Sequence, residues 1–201
     1  MSKVLLINPS YLRTYGGTQA GIANPVFPIL SLAALGGVAK SKGHQAQILD
    51  LSYRSYDPDM LRALIAREKP DVVGITATTP LMNQLRDISF LVKDVSKSIL
   101  TLGGGAHASA LPRESMQESN LDAVVCGEGD LTFGDILDGK PLTDIGGIYW
   151  RNGDQIVANP SRPLVGFLDD LPIPAWELYG SDSKRRVTRY LARDLGPHRR
   201  S

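Results

Sequence analysis

Short apolar runs alternate with amphipathic segments along the first 137 residues. Five apolar runs predict strands at Lys3–Asn8, Gln45–Asp50, 71–77, 98–102 and 122–126. Apolar residues at helical spacing predict helices at 28–42, 58–68, 80–97, 112–119 and 132–137. Strands that are apolar on both faces are typical of a parallel sheet covered by helices. The pattern therefore predicts an α/β fold built from five β–α units.

The strand order follows from the connections. Right-handed crossovers leave few arrangements of five parallel strands. We prefer the flavodoxin-like order 2-1-3-4-5 to a Rossmann order, because five strands fit it without remainder. The prediction is a Rossmann-like, doubly wound, five-stranded parallel sheet, in which ligands bind beyond the carboxyl ends of the strands.

The pattern changes after Gly139. Residues 147–158 predict a hairpin around Asn152-Gly153, and the prolines of 168–177 predict an extended linker. We therefore expect a ligand-binding domain at 1–139, a hairpin and linker at 140–180, and a basic, disordered tail at 181–201.

Composition narrows the possible partners. The 201 residues carry 22 basic and 21 acidic side chains, so charge gives no reason to expect nucleic acid or an anionic membrane. No apolar run reaches the roughly 18 residues of a membrane span, and no secretory signal precedes the first strand, so we expect a cytoplasmic protein. The single cysteine, Cys126, excludes an internal disulfide and an iron–sulfur cluster held by cysteines of this chain alone.

Two glycine-rich turns follow successive predicted strands. They are Gly103-Gly104-Gly105 and Gly127-Glu128-Gly129. Glycine lets backbone approach a ligand closely, and two such turns at one sheet edge predict one binding site. The same edge collects the other candidate ligand-binding residues, which are Asn8, Pro9, Asp50, Ser52, Thr76, Thr78, Thr79 and His107.

Several common sites are poorly matched by this edge. A phosphate-binding loop with its Gly-Lys-Ser/Thr ending is absent, and no Gly-x-Gly-x-x-Gly opens a helix after the first strand. Two roles remain open for His107, which could bond turn backbone or contact a cofactor. Glu128 could cap the last helix or hold the neighbouring loop for a ligand. No cluster of metal-ligating residues is predicted.

The motifs, taken in order, resemble a known family. The segments Leu5-Leu6-Ile7-Asn8-Pro9, Gly104-Gly105-Ala106-His107 and Gly127-Glu128-Gly129-Asp130 are similar to the N-terminal cobalamin-binding domain of B12-binding radical S-adenosylmethionine (SAM) proteins. The resemblance covers about residues 3–180. Two departures are Ala106, where the family has proline, and the missing Cys-x-x-x-Cys-x-x-Cys of the catalytic barrel.

The resemblance implies a function. Cobalamin would bind base-off, its ring over the strand ends and its nucleotide tail between the glycine turns, held by the candidate residues above. The 8–25 segment contains no histidine, so none from that loop would bind cobalt. The chain would not be catalytic alone but would serve a methyltransferase-type enzyme, whose radical SAM barrel, in the same or another chain, holds the iron–sulfur cluster and SAM. Two alternatives remain: an interaction or regulatory domain that has lost the cofactor, and a flavodoxin-like domain for another flat ligand.

Overall fold

Seven strands form one sheet in the computed structural model, which describes residues 1–16, 28–52 and 57–179. The sheet order is β2-β1-β3-β4-β5-β6-β7, and the first five strands are parallel in the predicted order. The strands are β1 (Lys3–Asn8), β2 (Gln45–Asp50), β3 (Val72–Thr76), β4 (Leu100–Gly104), β5 (Ala123–Val125), β6 (Ile148–Asn152) and β7 (Gln155–Ala158). The expected 181–201 tail lies outside the described residues.

The predicted count of five strands is wrong, because β6 and β7 join the same sheet. β6 pairs antiparallel with β5, with Ala123 opposite Trp150, and β7 pairs antiparallel with β6. Without β6, the short strand β5 would present an unpaired backbone edge. Ile148 on β6 is 1% exposed, so this addition also buries apolar surface.

Besides the helical residues 11–16, six helices of the described ranges cover the two faces of the sheet. They are α1 (Leu30–Ser41), α2 (Pro58–Glu68), α3 (Met82–Val95), α4 (Ala106–Ala110), α5 (Pro112–Gln117) and α6 (Asp130–Leu137). On one side, here the α1 face, α1 and α6 pack over Val4, Leu6 and Leu102. On the other side, here the α3 face, α2, α3 and α5 pack over Leu5, Ile7 and Val73. None of these helices is long and apolar enough to cross a membrane.

The first glycine turn begins later than predicted. β4 runs to Gly104 instead of ending at Leu102, and α4, which the sequence pattern missed, starts at Ala106. The extension arises because Gly103 and Gly104 pair with β3, opposite Ile75 and Thr76. As strand residues, the two glycines face opposite sides of the sheet.

The chain after β7 returns to α1. Ala175 N donates to Ala33 O (2.8 Å), and Tyr179 Oη donates to Ile29 O (2.7 Å). A Cβ on Gly37 would lie 2.4 Å from Ile173 O, so a glycine is needed for this close approach. Residues 173–179 therefore pack as part of the α1 layer, and Tyr179 is 2% exposed.

Candidate functional site

A cleft of about 140 Å³ opens on the α1 face, at the carboxyl ends of β3, β4 and β5. Its side walls are the N-terminal halves of α1 and α6. Its lining is mostly apolar and consists of Leu6, Ser31, Leu32, Leu35, Gly74, Ile75, Thr76, Leu102, Gly103, Gly104, Gly105, Val125, Gly127, Gly129, Asp130 and Phe133. The predicted edge of the sheet therefore carries a cleft, and both glycine turns border it.

The floor of the cleft is backbone. Gly74 and Gly104 each lie two residues beyond an α1-face core residue, Val72 and Leu102, so both face the cleft. A Cβ on Gly104 would have no neighbour closer than Val125 O, at 3.9 Å. Gly104 thus leaves room for an inserted group to touch the sheet itself, whereas a Cβ on Gly74 would lie 2.9 Å from Leu6 Cδ2, so the Leu6 side chain already covers that position.

The other two glycines of the first turn are required for different reasons. A Cβ on Gly103 would point to the α3 face and lie 2.5 Å from Leu121 Cδ1. Gly105 has φ +96°, and its Cβ would lie 2.8 Å from both Ala77 O and Thr76 Oγ1. Gly103 therefore serves core packing, and Gly105 allows the chain to turn tightly from β4 into α4.

The second glycine turn is tied to the first one and to the segment after β7. Gly127, with φ +69°, donates its N–H to Ser109 Oγ on α4 (3.1 Å). Glu128 does not cap α6, so that interpretation is wrong. Its Oε2 accepts the N–H of Val165 (2.9 Å), because the segment after β7 passes directly over this turn.

A second group of predicted residues forms a hydrogen-bonded cluster at the ends of β1 and β2, outside the cleft. Asn8 is 1% exposed, and its Nδ2 donates to Asp50 Oδ1 (3.0 Å) and Ser52 Oγ (2.6 Å). Ser52 Oγ donates in turn to Asp50 Oδ1 (2.5 Å). Pro9 is buried beside them. These side chains bind one another and close this end of the edge.

The remaining predicted residues lie on the outer rim. Thr78 and Thr79 are exposed, and His107 Nδ1 lies 3.1 Å from Thr79 Oγ1. One interpretation of the sequence expected His107 to bond to the backbone of its own turn. Its partner is instead a side chain on the loop after β3. The contact joins α4 to that loop at the mouth of the cleft.

The sequence pattern missed the α1 and α6 walls and Gly74. A glycine inside an otherwise apolar strand often marks a close approach of another group, and this was the available signal for Gly74. Asp130, at the start of α6, also lines the cleft. Burial raises the pKa of Asp130 above its ordinary value, and the neighbouring Glu128 carboxylate adds to that rise. Its carboxyl group therefore keeps a proton more readily than an ordinary aspartate.

Residues 23–137 match the B12 binding domain family. The chain is 31% identical over 188 residues to an uncharacterized methyltransferase, PH0819, of Pyrococcus horikoshii, covering 90% of this chain and 39% of that protein. The chain therefore spans about two-fifths of the length of this relative.

Two solved structures share the fold. One is the radical SAM methyltransferase TsrM of Kitasatospora setae with cobalamin and a [4Fe-4S] cluster bound (TM-score 0.65, 22% identity, 81% of this chain and 32% of that one). The other is the cobalamin-dependent SAM radical enzyme OxsB with aqua-cobalamin bound (TM-score 0.70, 15% identity, 94% and 25%). At these identities the likeness concerns the fold.

Proposed function

The chain belongs to the B12 binding domain family, and from that premise we propose that it binds cobalamin at the cleft between α1 and α6. The observation that carries the proposal is the open backbone floor at Gly104. Sites that enclose a drug-sized ligand occupy roughly 300–1,000 Å³, so a cleft of about 140 Å³ takes only part of so large a cofactor. We assign the cleft to the nucleotide tail and its mouth to the corrin ring.

The residues of the cleft suit a flat, partly polar group. Leu35 and Phe133 on the two helices provide apolar walls that exclude water. The hydroxyls of Ser31 and Thr76 and the carboxyl group of Asp130 supply the hydrogen-bonding groups at the mouth. These groups can orient the tail, while the glycines let it lie against the sheet.

The mode of binding follows from the histidines. None of the three histidines lies between Asn8 and Phe27, the stretch that follows β1. We therefore propose base-off cobalamin without an imidazole from that stretch on the metal. When bound, the cofactor supplies a cobalt centre for group transfer, and this chain holds and orients it.

The whole reaction needs more than this chain. With one cysteine, the chain lacks the three thiolates of a radical SAM cluster. The matched solved enzymes are radical SAM proteins of which this chain spans 25–32%. We propose that a radical SAM domain, in the same polypeptide or a separate one, holds the cluster and SAM and carries out a methyltransferase-type reaction.

Reconstitution tests the proposal. The purified chain is mixed with hydroxocobalamin or, in parallel, with FMN; excess ligand is removed and the visible spectrum is recorded. We expect retention of corrin absorbance at about one cofactor per chain and no retention of FMN. Retention of FMN alone, or of neither ligand, would contradict the proposal.

A cleft-filling variant locates the site. Gly104→Leu places a side chain on the open floor without a backbone clash, since the nearest atom to its Cβ is 3.9 Å away. We expect cobalamin affinity to fall by about a hundredfold or more. Gly166→Leu is the matched control, because its Cβ meets nothing within 4 Å and Gly166 does not line the cleft. Equal binding by wild type and Gly104→Leu would place the cofactor elsewhere.

A further inference from the structure

A buried carbonyl oxygen without a partner lies at the carboxyl end of β1. Asn8 Oδ1 is inaccessible to solvent and accepts no hydrogen bond from any group in the described part of the chain. Most buried polar atoms in folded proteins are hydrogen-bonded, and an exception calls for an explanation such as a ligand. The question is which group satisfies this acceptor.

The orientation of the amide is fixed. Both hydrogens of Nδ2 are used toward β2, by Asp50 Oδ1 and Ser52 Oγ. Turning the amide over would place its oxygen against the Asp50 carboxylate, so this rotamer is the one that the cluster selects. The carbonyl branch of the planar amide is therefore directed away from β2.

The cleft lies on the side of β1 that faces away from β2. Asn8 follows Leu6 by two residues on β1, so both share the α1 face, and Leu6 lines the cleft. Ile7 pairs with Ile75 on β3, which makes the cleft residue Thr76 the cross-strand neighbour of Asn8. Asn8 itself does not line the cleft, but it lies next to Thr76, which does, and two residues nearer the strand end than Leu6.

We propose that Asn8 Oδ1 accepts an N–H from a peripheral carboxamide of the corrin ring; this inference rests on the proposed function. The partner must be a neutral or positive donor, because the Asp50 carboxylate beside Asn8 repels a second carboxylate. Cobalamin carries primary carboxamides around its ring. The ring is favoured over the tail because Asn8 lies at the end of β1, beyond the residues that line the cleft. Ser52 and Asp50 are positioning residues that present the acceptor.

One variant removes the acceptor, and a second variant is the control. Asn8→Leu removes the carbonyl with little change in volume, whereas Ser98→Ala changes an exposed side chain before β4, at the opposite edge of the sheet. In cobalamin titrations followed by visible absorbance, we expect Asn8→Leu to bind about tenfold more weakly and Ser98→Ala to bind like wild type. Cobinamide, which keeps the ring amides and lacks the nucleotide tail, should show the same loss with Asn8→Leu.

A ligand series tests the contact on the wild-type chain alone, which keeps the proposal falsifiable if Asn8→Leu fails to fold. The probes are cobalamin monocarboxylic acids, in each of which one peripheral carboxamide is hydrolysed. We expect one of them to bind wild type about tenfold more weakly than cobalamin, and that penalty to disappear in Asn8→Leu.

The outcomes distinguish this inference from the proposed function. A wild-type chain that retains no cobalamin overturns both. If wild type binds cobalamin, three results would overturn the inference alone. Asn8→Leu could bind cobalamin as well as wild type does, or its loss of affinity could appear with cobalamin and not with cobinamide. The third result is that wild type binds every monocarboxylic acid as tightly as cobalamin.

Discussion

At the ends of β1 and β2, polar side chains bond to one another and fill the edge of the sheet, whereas the ends of β3, β4 and β5 are lined by glycine backbone. We call these the closed end and the open end. The closed end holds Asn8, Asp50 and Ser52 in a network with donor–acceptor distances of 2.5–3.0 Å. The open end has Gly74 and Gly104 at the base of a cleft.

The difference shows that candidate residues at one edge need not share a role. Side chains at the closed end hydrogen-bond to one another, which fixes their geometry, and Asn8 Oδ1 is left without a partner in the described part of the chain. At the open end the missing side chains leave space, and α1 and α6 line that space mostly with apolar side chains. In our proposal the closed end orients a contact and the open end admits a bulky group.

The largest expected effect concerns neighbouring glycines at the open end. Gly103→Ala should lower the free energy of unfolding by about 1–3 kcal/mol, because its Cβ meets Leu121, which is fully buried on the α3 face. Gly104→Ala, with open space at its Cβ, should be neutral or stabilising by up to about 0.5 kcal/mol. Urea unfolding of both variants checks this. Equal destabilisation would mean that the two glycines do not face opposite sides of the sheet.

The closed end should respond to loss of a single hydroxyl. Ser52→Ala removes the acceptor for Asn8 Nδ2 and a donor to Asp50, in a position that is 2% exposed. We expect the unfolding free energy to fall by about 1–2 kcal/mol. Denaturant unfolding of the cofactor-free chain measures it, with exposed Ser98→Ala as the control. A loss no greater than that of the control would show that the network contributes nothing.

A smaller effect is expected where the segment after β7 crosses the open end. Glu128→Ala removes the acceptor for the N–H of Val165, so hydrogen exchange of that amide should accelerate by about two- to fivefold. Glu128→Gln keeps an acceptor oxygen and should exchange like wild type. Identical exchange in all three proteins would contradict the assigned contact.

The smallest expected effect is a change in how the free energy of unfolding depends on pH. Burial and Glu128 raise the pKa of Asp130 in the folded chain above its ordinary 3.8, so the folded state binds this proton more tightly than the unfolded state does. Stability should therefore fall as the pH rises from about 4 through the folded-state pKa, and Asp130→Asn should lose that part of the dependence. Unfolding curves between about pH 3 and pH 7 measure it. Asp154→Asn, in the exposed turn before β7, is the control. If the stability of Asp130→Asn changed with pH in parallel with that of wild type, the raised pKa assigned to Asp130 would be contradicted.

Sequence reasoning predicted the alternation of strands and helices and the order of the first five strands. It succeeded because strands that are apolar on both faces have few physically allowed arrangements. It missed that β6 and β7 extend the sheet, since a hairpin pattern does not say which edge the hairpin joins. It also missed Gly74 and the α1 and α6 walls, because apolar residues at helical spacing look alike whether they line a cleft or fill a core.

The sequence by itself determined which positions are glycines and therefore lack side chains. It also determined that this chain has one cysteine, which is too few for a cluster of the radical SAM type. Only the tertiary structure decided which glycine opens the cleft. That depends on β4 continuing to Gly104, since strand residues alternate between faces and a shift of one position would exchange Gly103 for Gly104. The partner of Glu128 was likewise decided by a segment 37 residues away, which no local pattern contains.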